Sequence, residues 1–335
     1  MMPQRRAFDL VTAQEIEPER LAGFLRDADT EATRRSQSAD YYQWLTGSSS
    51  ASAPISCFAR SGDEIVGSLV LSPRRLHLGD RTLLAGKLEE MKTAQAWRGQ
   101  GVITEIFKQI VETARQTGID LLIGGPTSQD SYPIYKQRFD FEAPFLIANI
   151  VAPIRFYWPG FSRFADRYQV VEIDGQGGRL EDYRRFVDEV ESPNTVRVVR
   201  DADYLDWRYE QHPDQYRHFE LLEGTRSVGF CTLKLIGQRN FRVVNVLEFV
   251  ARPGRDRRAL CLAVKQWARS QSAHFVVMWP PEGSSFEFVR AGFFKRPRGG
   301  TRIVLRPLSQ ACLEAMDSLR TRRSWALSMG DMLDI

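Results

Sequence analysis

The sequence predicts an α/β chain built of two similar halves laid end to end, and three observations carry that expectation. The order hairpin, long strand, helix, strand, short helix, strand is read twice, first from Ile55 to Ile150 and again from Phe219 to Leu305. The length of 335 residues exceeds what one hydrophobic core usually covers. The join near Tyr157 to Gly175 is aromatic (Phe156, Tyr157, Trp158, Phe161, Phe164), which suits packed halves better than an exposed linker. No residue-level repeat accompanies the shared order, so the symmetry is architectural.

Composition sets the class. At 43% hydrophobic, 11% aromatic and 26% charged, the chain is an ordinary globular protein. Lys plus Arg is 46 and Asp plus Glu is 42, a formal charge of +4, too small to argue for nucleic acid but compatible with a local phosphate site. Cys57, Cys231, Cys261 and Cys312 lie far apart, without metal-ligand spacing, so no metal is expected. The N-terminus has no apolar run behind Arg5 and Arg6. The longest apolar stretch, Phe145 to Ile154, contains Asn149 and Pro153 and is too short to span a bilayer. The expectation is a soluble, cytoplasmic protein with no membrane and no nucleic-acid partner.

Along the first half, Phe8 to Thr12 reads as a strand, and Pro18 opens a helix with Leu21, Phe24 and Leu25 on one face. Asp40 to Leu45 is a short aromatic helix, followed by a Ser/Ala-rich loop from Gly47 to Pro54. Ile55–Arg60 and Glu64–Leu71 form a hairpin around Ser61-Gly62-Asp63, and Leu83 to Ala94 is a long strand. Ile103 to Gly118 is the clearest helix, with Ile106, Ile110, Val111 and Ala114 at helical spacing. Leu121–Ile123 is a buried strand, Tyr132–Arg138 a short helix, and Phe141–Ile150 a further strand. In the second half, Gly178–Val190 and Asp201–Tyr209 read as helices. Phe219–Glu223 and Ser227–Leu235 read as a hairpin, Phe241–Ala251 as a long strand and Arg257–Ser270 as a helix. His274–Trp279, Ser284–Ala291 and Arg302–Leu305 follow as strand, helix and strand.

The chemistry concentrates in Gln95-Ala96-Trp97-Arg98-Gly99-Gln100-Gly101-Val102-Ile103, between a long strand and a long helix. Two glycines there let the backbone approach a ligand closely, and first-turn amides have no partner inside the helix. Together with the helix dipole they form a receptor for phosphate oxygens. Arg98 adds a charged contact. Spacing alone fits a plain tight turn equally well. The P-loop pattern is absent, and no G-x-G-x-x-G follows the first strand.

Leu88-Glu89-Glu90-Met91-Lys92-Thr93 followed by Trp97-Arg98-Gly99-Gln100-Gly101-Val102 resembles the acyl-CoA motif of the GCN5-related N-acetyltransferases (GNAT). The family consensus is Arg or Gln, two residues, Gly, one residue, then Gly or Ala. Arg98 and Gly101 match it, and Ile103 stands at the last position. Gly124-Gly125-Pro126-Thr127-Ser128-Gln129, then Ser131 to Lys136, then Phe139-Asp140-Phe141 resemble the family's later strand, polar loop, aromatic helix and turn, with Asp140 where the family usually has Gly. Asp201–Pro213 and Trp325–Asp331 resemble a bacterial subgroup with tandem halves.

The resemblance implies an α/β (α+β) fold of two tandem acyl-CoA N-acyltransferase-like domains, each a mixed, mostly antiparallel sheet flanked by helices. It implies an N-terminal domain at 1–156 with the acyl-CoA site, a degenerate C-terminal domain at 157–310, and a tail at 311–335 packing back. Acetyl-CoA would be held by Met91, Lys92, Thr93, Arg98, Gly99, Gln100, Gly101, Val102 and Ile103. The acceptor would be a small-molecule or peptide amine. Acyl transfer also needs a base and a proton donor for the leaving thiolate. Glu89 and Glu90, on opposite faces of a regular strand, are the candidates for base; the plainer reading is a pair of surface carboxylates matched with Lys87 or Lys92. Tyr135, or Tyr132 one turn earlier, is the candidate acid, with an amphipathic core tyrosine as the plainer reading. His77, His212, His218 and His274 form no cluster. Asp203, Trp207, Arg208 and Tyr209 read as a structural interface between the halves, with acceptor binding at that interface as the alternative. The second half's loop, Ala251 to Asp256, lacks paired glycines, and Pro253 removes an amide, so no acyl-CoA is expected there. The competing expectation is an inactive acyl-CoA-binding sensor or interaction module.

Overall fold

The computed structural model describes residues 7–28, 38–47, 49–125, 131–154, 167–173, 179–192, 195–238, 240–281, 285–296 and 300–332. Most of the aromatic join, the loop Pro126–Gln129 and the first six residues lie outside them.

The chain forms two mixed sheets flanked by helices. The first contains β1 (Asp9–Val11), β2 (Ile55–Ser61), β3 (Glu64–Leu78), β4 (Arg81–Thr93), β5 (Leu121–Gly124) and β6 (Glu142–Ile147). The second contains β7 (Ile150–Pro153), β8 (Tyr168–Ile173), β10 (Arg217–Glu223), β11 (Arg226–Gln238), β12 (Phe241–Ala251), β13 (Phe275–Met278) and β14 (Phe294–Lys295). Short β9 (Val196–Val198) pairs with β3, and β16 (Trp325–Ala326) pairs with β9. β15 (Thr301–Pro307) returns from the C-terminal half to lie between β5 and β6.

The strand orders are β1-β2-β3-β4-β5-β15-β6 and β8-β10-β11-β12-β13-β7-β14. They correspond place for place, and each has one parallel pair at its centre, β4 with β5 and β12 with β13. The sixth place is exchanged: β15 comes from the second half, and β7 from the first. The single strand expected over Phe141–Ile150 is therefore two strands in different sheets. The break is fixed by Asn149, whose side chain accepts from Trp279 Nε1 at 2.9 Å and whose carbonyl accepts from the Arg296 amide at 2.9 Å. The strand expected over Arg302–Leu305 exists but belongs to the first sheet.

β3 runs past the expected Leu71, through Pro73 to Leu78. β2 begins opposite Leu71 and β9 joins that edge of β3 only at Leu76, so at Pro73 the edge has no partner strand and a residue without an amide donor is tolerated.

Helix α1 (Pro18–Ala28) and α2 (Ala39–Gly47) cover one face of the first sheet, and α3 (Val102–Gln116) covers the other. α3 buries Val102, Ile106, Phe107, Ile110, Val111 and Ala114, the predicted stripe. Gly118, at φ 76°, ends it: the Ile119 amide reaches the Ala114 carbonyl and the Gly118 amide that of Arg115. The helix Arg255–Ser270 closes in the same way, with Ser272 at φ 52° in the glycine's place.

One continuous core joins the halves, running from Tyr42, Trp44 and Ala85 to Phe230, Leu247 and Met332. Trp207, Arg208 and Tyr209 are buried in it. Trp44 stacks on Trp207 at 4.9 Å and donates its indole N–H to the Trp207 carbonyl at 2.7 Å. Of the cluster expected at the interface, Trp207, Arg208 and Tyr209 are there, and Asp203 is exposed.

His218, on β10, lies inside this fold with Nδ1 3.0 Å from Thr232 Oγ1, and burial pushes its imidazole down from 6.5 to about 4. The unfolded chain therefore takes up a proton first as pH falls. Stability fully present above about 6.5 is lost progressively towards about 4, by about 3 kcal/mol. His218→Gln should flatten that limb, read as urea midpoints at pH 7 and pH 4.5. Equal losses in both proteins would assign the acid sensitivity elsewhere.

Candidate active site

β4 and β5 run side by side only from Ala85 opposite Leu121 to Lys87 opposite Ile123. Beyond that point β5 ends at Gly124, paired on its other edge with Val304 of β15, while β4 continues to Thr93. The two strands splay, leaving the β5-facing edge of Leu88–Thr93 without a β5 partner. β4 also carries a bulge. Ser68 faces Lys92 and Val70 faces Glu89, so Glu90 and Met91 together oppose Leu69. Glu90 adopts φ 51°, in the left-handed region, and its carbonyl accepts from Ser68 Oγ at 2.7 Å.

The bulge corrects the expected placement of the two carboxylates. A regular strand sends neighbours to opposite faces. Here both meet partners on the α1/α2 face. Glu89 pairs with Arg74 Nη2 at 3.1 Å and with Lys87 Nζ at 3.0 Å, its side chain 3% exposed. Glu90 pairs with Lys92 Nζ at 2.7 Å and accepts a long 3.4 Å contact from the Tyr41 hydroxyl, its side chain 15% exposed. The expected lysine pairings both occur, but Glu89 is a buried group and not a surface one.

The turn after β4 supplies the anion receptor. Gly99 and Gly101 stand at φ 78° and 87°, and Gly101 is the N-cap of α3. Among the described residues, no hydrogen bond reaches the amides of Gly99, Gly101, Val102 or Ile103. Arg98 is exposed, with Nε 3.4 Å from the Thr93 carbonyl, and Gln100 turns its amide nitrogen back to the Ala96 carbonyl at 2.9 Å. The Val102 side chain is buried, where it fills the space a Cβ on Gly67 would take, so only its main chain faces the turn. Met91 and Ile103 are half-buried against the α3 core.

Tyr135 sits across the splay, on the α3 side, 6% exposed and edge-on to Phe141 at 5.2 Å. Gly124 makes room for it: a Cβ there would lie 3.2 Å from Tyr135 Cε1. Burial raises its phenol above the ordinary value, so it keeps its proton at neutral pH. Tyr132 is more exposed, with the Arg302 guanidinium 4.5 Å over its ring. Candidate acid and candidate bases thus approach the splay from opposite faces of the sheet.

A splayed central strand pair, a β4 bulge and a glycine turn capping α3 agree with what the comparisons find. Residues 28–143 match the family described as acetyltransferase (GNAT) domain. That match lies within the N-terminal half. No curated protein matches the chain. Solved structures share its whole architecture at low identity. A probable N-acyltransferase of unknown function from Enterococcus faecalis is 13% identical at a TM-score of 0.67, covering 90% of this chain and 73% of its own. A GCN5-related N-acetyltransferase from Anabaena variabilis is 11% identical at 0.65, with the same coverages. A tandem GNAT protein from the clavulanic acid biosynthesis pathway is 14% identical at 0.63, covering 90% of this chain and 99% of its own. The fold is that of tandem GNAT proteins.

The second sheet repeats the splay with different fittings. β12 and β13 pair in parallel from Val243 to Val246 and then part. The helix that follows is capped by Gly254 at φ 86°, but there Glu287 Oε1 accepts from the Gly254 amide at 3.2 Å. The chain's own carboxylate stands where the turn before α3 leaves its amides open. A cleft of about 230 Å³ remains beside β12, lined by Glu248, Phe249, Arg257, Trp279 and Trp325 among others. Gly330 crosses the bottom of this splay. A Cβ there would fall 2.3 Å from Tyr209 Oη and 2.9 Å from Glu248 Oε1.

Several residues around this site had no signal in the sequence. Arg74 reaches it from β3, Tyr41 from α2, and Thr301 and Arg302 from the exchanged β15. A Cβ on Gly125, at the end of β5, would meet Thr301 Cγ2 at 3.0 Å and Met332 Cε at 3.4 Å. No group of three or more metal-ligating side chains exists among the described residues, and no helix among them is long and apolar enough to cross a membrane.

Proposed function

We infer that the chain is an acyl-CoA-dependent N-acyltransferase that transfers an acetyl group directly to a primary amine in a ternary complex. The observation that carries this reading is the set of open amides at Gly99 and Gly101–Ile103 on the N-terminus of α3, after a strand whose edge is bare. The chemistry of the residues fits acetyl-CoA: open amides and Arg98 for the diphosphate, and the edge of Met91, Lys92 and Thr93 for the amide-bearing arm. Bound there, acetyl-CoA supplies an acyl thioester. A β4 amide at the bulge polarises the carbonyl.

Glu90 is the better placed base. It is the less enclosed carboxylate and has one cation beside it, whereas Glu89 is clamped by two. Tyr135, held protonated by burial, donates to the departing sulfur. In this reading residues 1–156 form the active domain, 157–310 a degenerate copy that shapes the acceptor cleft, and 311–335 a tail that packs back. The Glu287 carboxylate on the second helix N-terminus supports assigning the donor to the first half alone. The acceptor is a small-molecule or peptide amine. The four cysteines, all free and buried, support a cytoplasmic setting.

One observation favours the competing reading of an acyl-CoA sensor: both carboxylates are already ion-paired, which weakens a base. Calorimetry with acetyl-CoA should show binding. A screen of amines monitored by free-thiol release then separates the two readings. Thiol release with any amine establishes the enzyme; binding without release establishes the sensor; absence of binding refutes both.

A further inference from the structure

Two arginines converge on the terminal turn Met329–Met332. Arg74 donates Nη2 to Glu89 Oε1 at 3.1 Å and Nη1 to the Asp331 carbonyl. Arg200 donates Nε to Glu248 Oε2 at 3.0 Å and Nη2 to Asp331 Oδ2 at 2.6 Å. Glu89 and Glu248 hold equivalent places, each two residues past the last parallel pair of its sheet, Lys87 with Ile123 and Val246 with Met278. Both are buried, and Asp331 is 0% exposed, its carboxylate also accepting from the Ser328 amide at 2.7 Å. One residue therefore ties together the two strands at the points where they splay: its carbonyl serves the first half and its carboxylate the second.

We propose that Arg74 is a positioning residue for the acyl-transfer site, set in place by Asp331, and that its guanidinium fork fixes the β4 bulge by holding Glu89 to the terminal turn. Glu89 immediately precedes Glu90, the residue at φ 51°. A non-glycine residue in the left-handed region persists only where its surroundings over-determine it. The Ser68 hydroxyl holds the Glu90 carbonyl from one side, and the Arg74–Glu89 bond holds the preceding residue from the other. The fork is itself located by a third element, with the guanidinium carbon 5.5 Å over the Trp207 ring. A lysine at position 74 keeps a charge next to Glu89, but its single nitrogen cannot reproduce the planar fork that serves two acceptors at once. The kinetic consequence rests on the acyltransferase reading; the structural consequence does not.

The test uses Arg74→Lys and Asp331→Asn in the full chain. Hydrogen exchange is followed at the amides of residues 88–93 and 328–332. Calorimetry measures acetyl-CoA affinity, and steady-state kinetics use an amine from the thiol-release screen. In both variants the 88–93 amides should exchange at least tenfold faster and kcat should fall at least tenfold. Acetyl-CoA affinity should stay within twofold, because the phosphate turn Trp97–Ile103 is not part of the clasp. Wild-type exchange at residues 88–93 in Arg74→Lys overturns the proposal. So does an Asp331→Asn protein whose residues 328–332 exchange freely while residues 88–93 do not change. If the wild type binds no acetyl-CoA, the acyltransferase reading fails, and exchange at residues 88–93 still decides for or against the clasp. If the wild type turns over while exchange is unmoved, the clasp fails and the reading stands.

Discussion

Gly101→Val is expected to weaken acetyl-CoA binding at least a hundredfold in a protein that still folds. The position combines two properties that separate binding from stability. Its φ of 87° is one that a β-branched residue adopts only under strain, at a cost of about 1–2 kcal/mol. Nothing lies within 4 Å of an added Cβ, so no clash is superimposed on that cost. The open space is where the phosphate receptor faces, and a valine there would cover the amides of Gly101, Val102 and Ile103. Gly118→Val is the internal control. It sits at the other end of the same helix, at φ 76° and likewise with nothing within 4 Å. The strain should be similar, so the two variants should lose similar thermal stability, but only Gly101→Val should lose calorimetric affinity. Retained affinity in Gly101→Val would place the diphosphate elsewhere.

That turn was legible in the sequence because everything that makes it is local: a strand, two glycines and a helix with an apolar stripe, all between Leu83 and Gly118. The amphipathic period of α3 and the stop at Gly118 are properties of one segment, and the structure reproduces both. What the sequence could not convey is partner choice. Ile150–Pro153 and Thr301–Pro307 are short strands with apolar centres, and nothing in either says that it crosses to the other sheet. That information resides in contacts 120 residues and more away, such as Trp279 on Asn149. The faces of Glu89 and Glu90 were misjudged for a different reason. Alternation holds for a regular strand, and a single left-handed residue at the bulge breaks it. Arg74 was invisible for a third reason: an arginine beside Pro73 and Arg75 reads as surface charge, yet its side chain is 2% exposed and bridges two halves of the chain. Trp207 and Tyr209, by contrast, announced their burial through their aromatic character.

The same distinction bears on Arg200→Met, which is expected to cost about 3–5 kcal/mol of stability at neutral pH, the range for removing one partner of a buried ion pair. Arg200 is buried, and among the described residues it alone bridges the Glu248 and Asp331 carboxylates, both 0% exposed. The hydroxyl of Tyr209, 2.6 Å from Glu248 Oε1, completes the site but carries no compensating charge. Methionine replaces most of the arginine's volume, so the loss is electrostatic and not a cavity effect. That gives it a signature in pH. Burial already raises the Glu248 carboxyl, with Arg200 opposing the rise, and removing the cation raises it further. A carboxylate whose folded pKa exceeds its unfolded pKa destabilises the fold while ionised, and it is relieved as pH falls through the folded value. The deficit of Arg200→Met should therefore be largest near pH 8 and shrink towards pH 5, the opposite sign to the limb assigned to His218. Urea midpoints of wild type and variant at those two pH values check it. A deficit that is constant with pH would mean that packing, not charge, is what Arg200 contributes. A deficit that shrinks with acid identifies Glu248 as ionised in the native protein. In that case the terminal turn is held to the second sheet by charge and to Arg74 by its backbone.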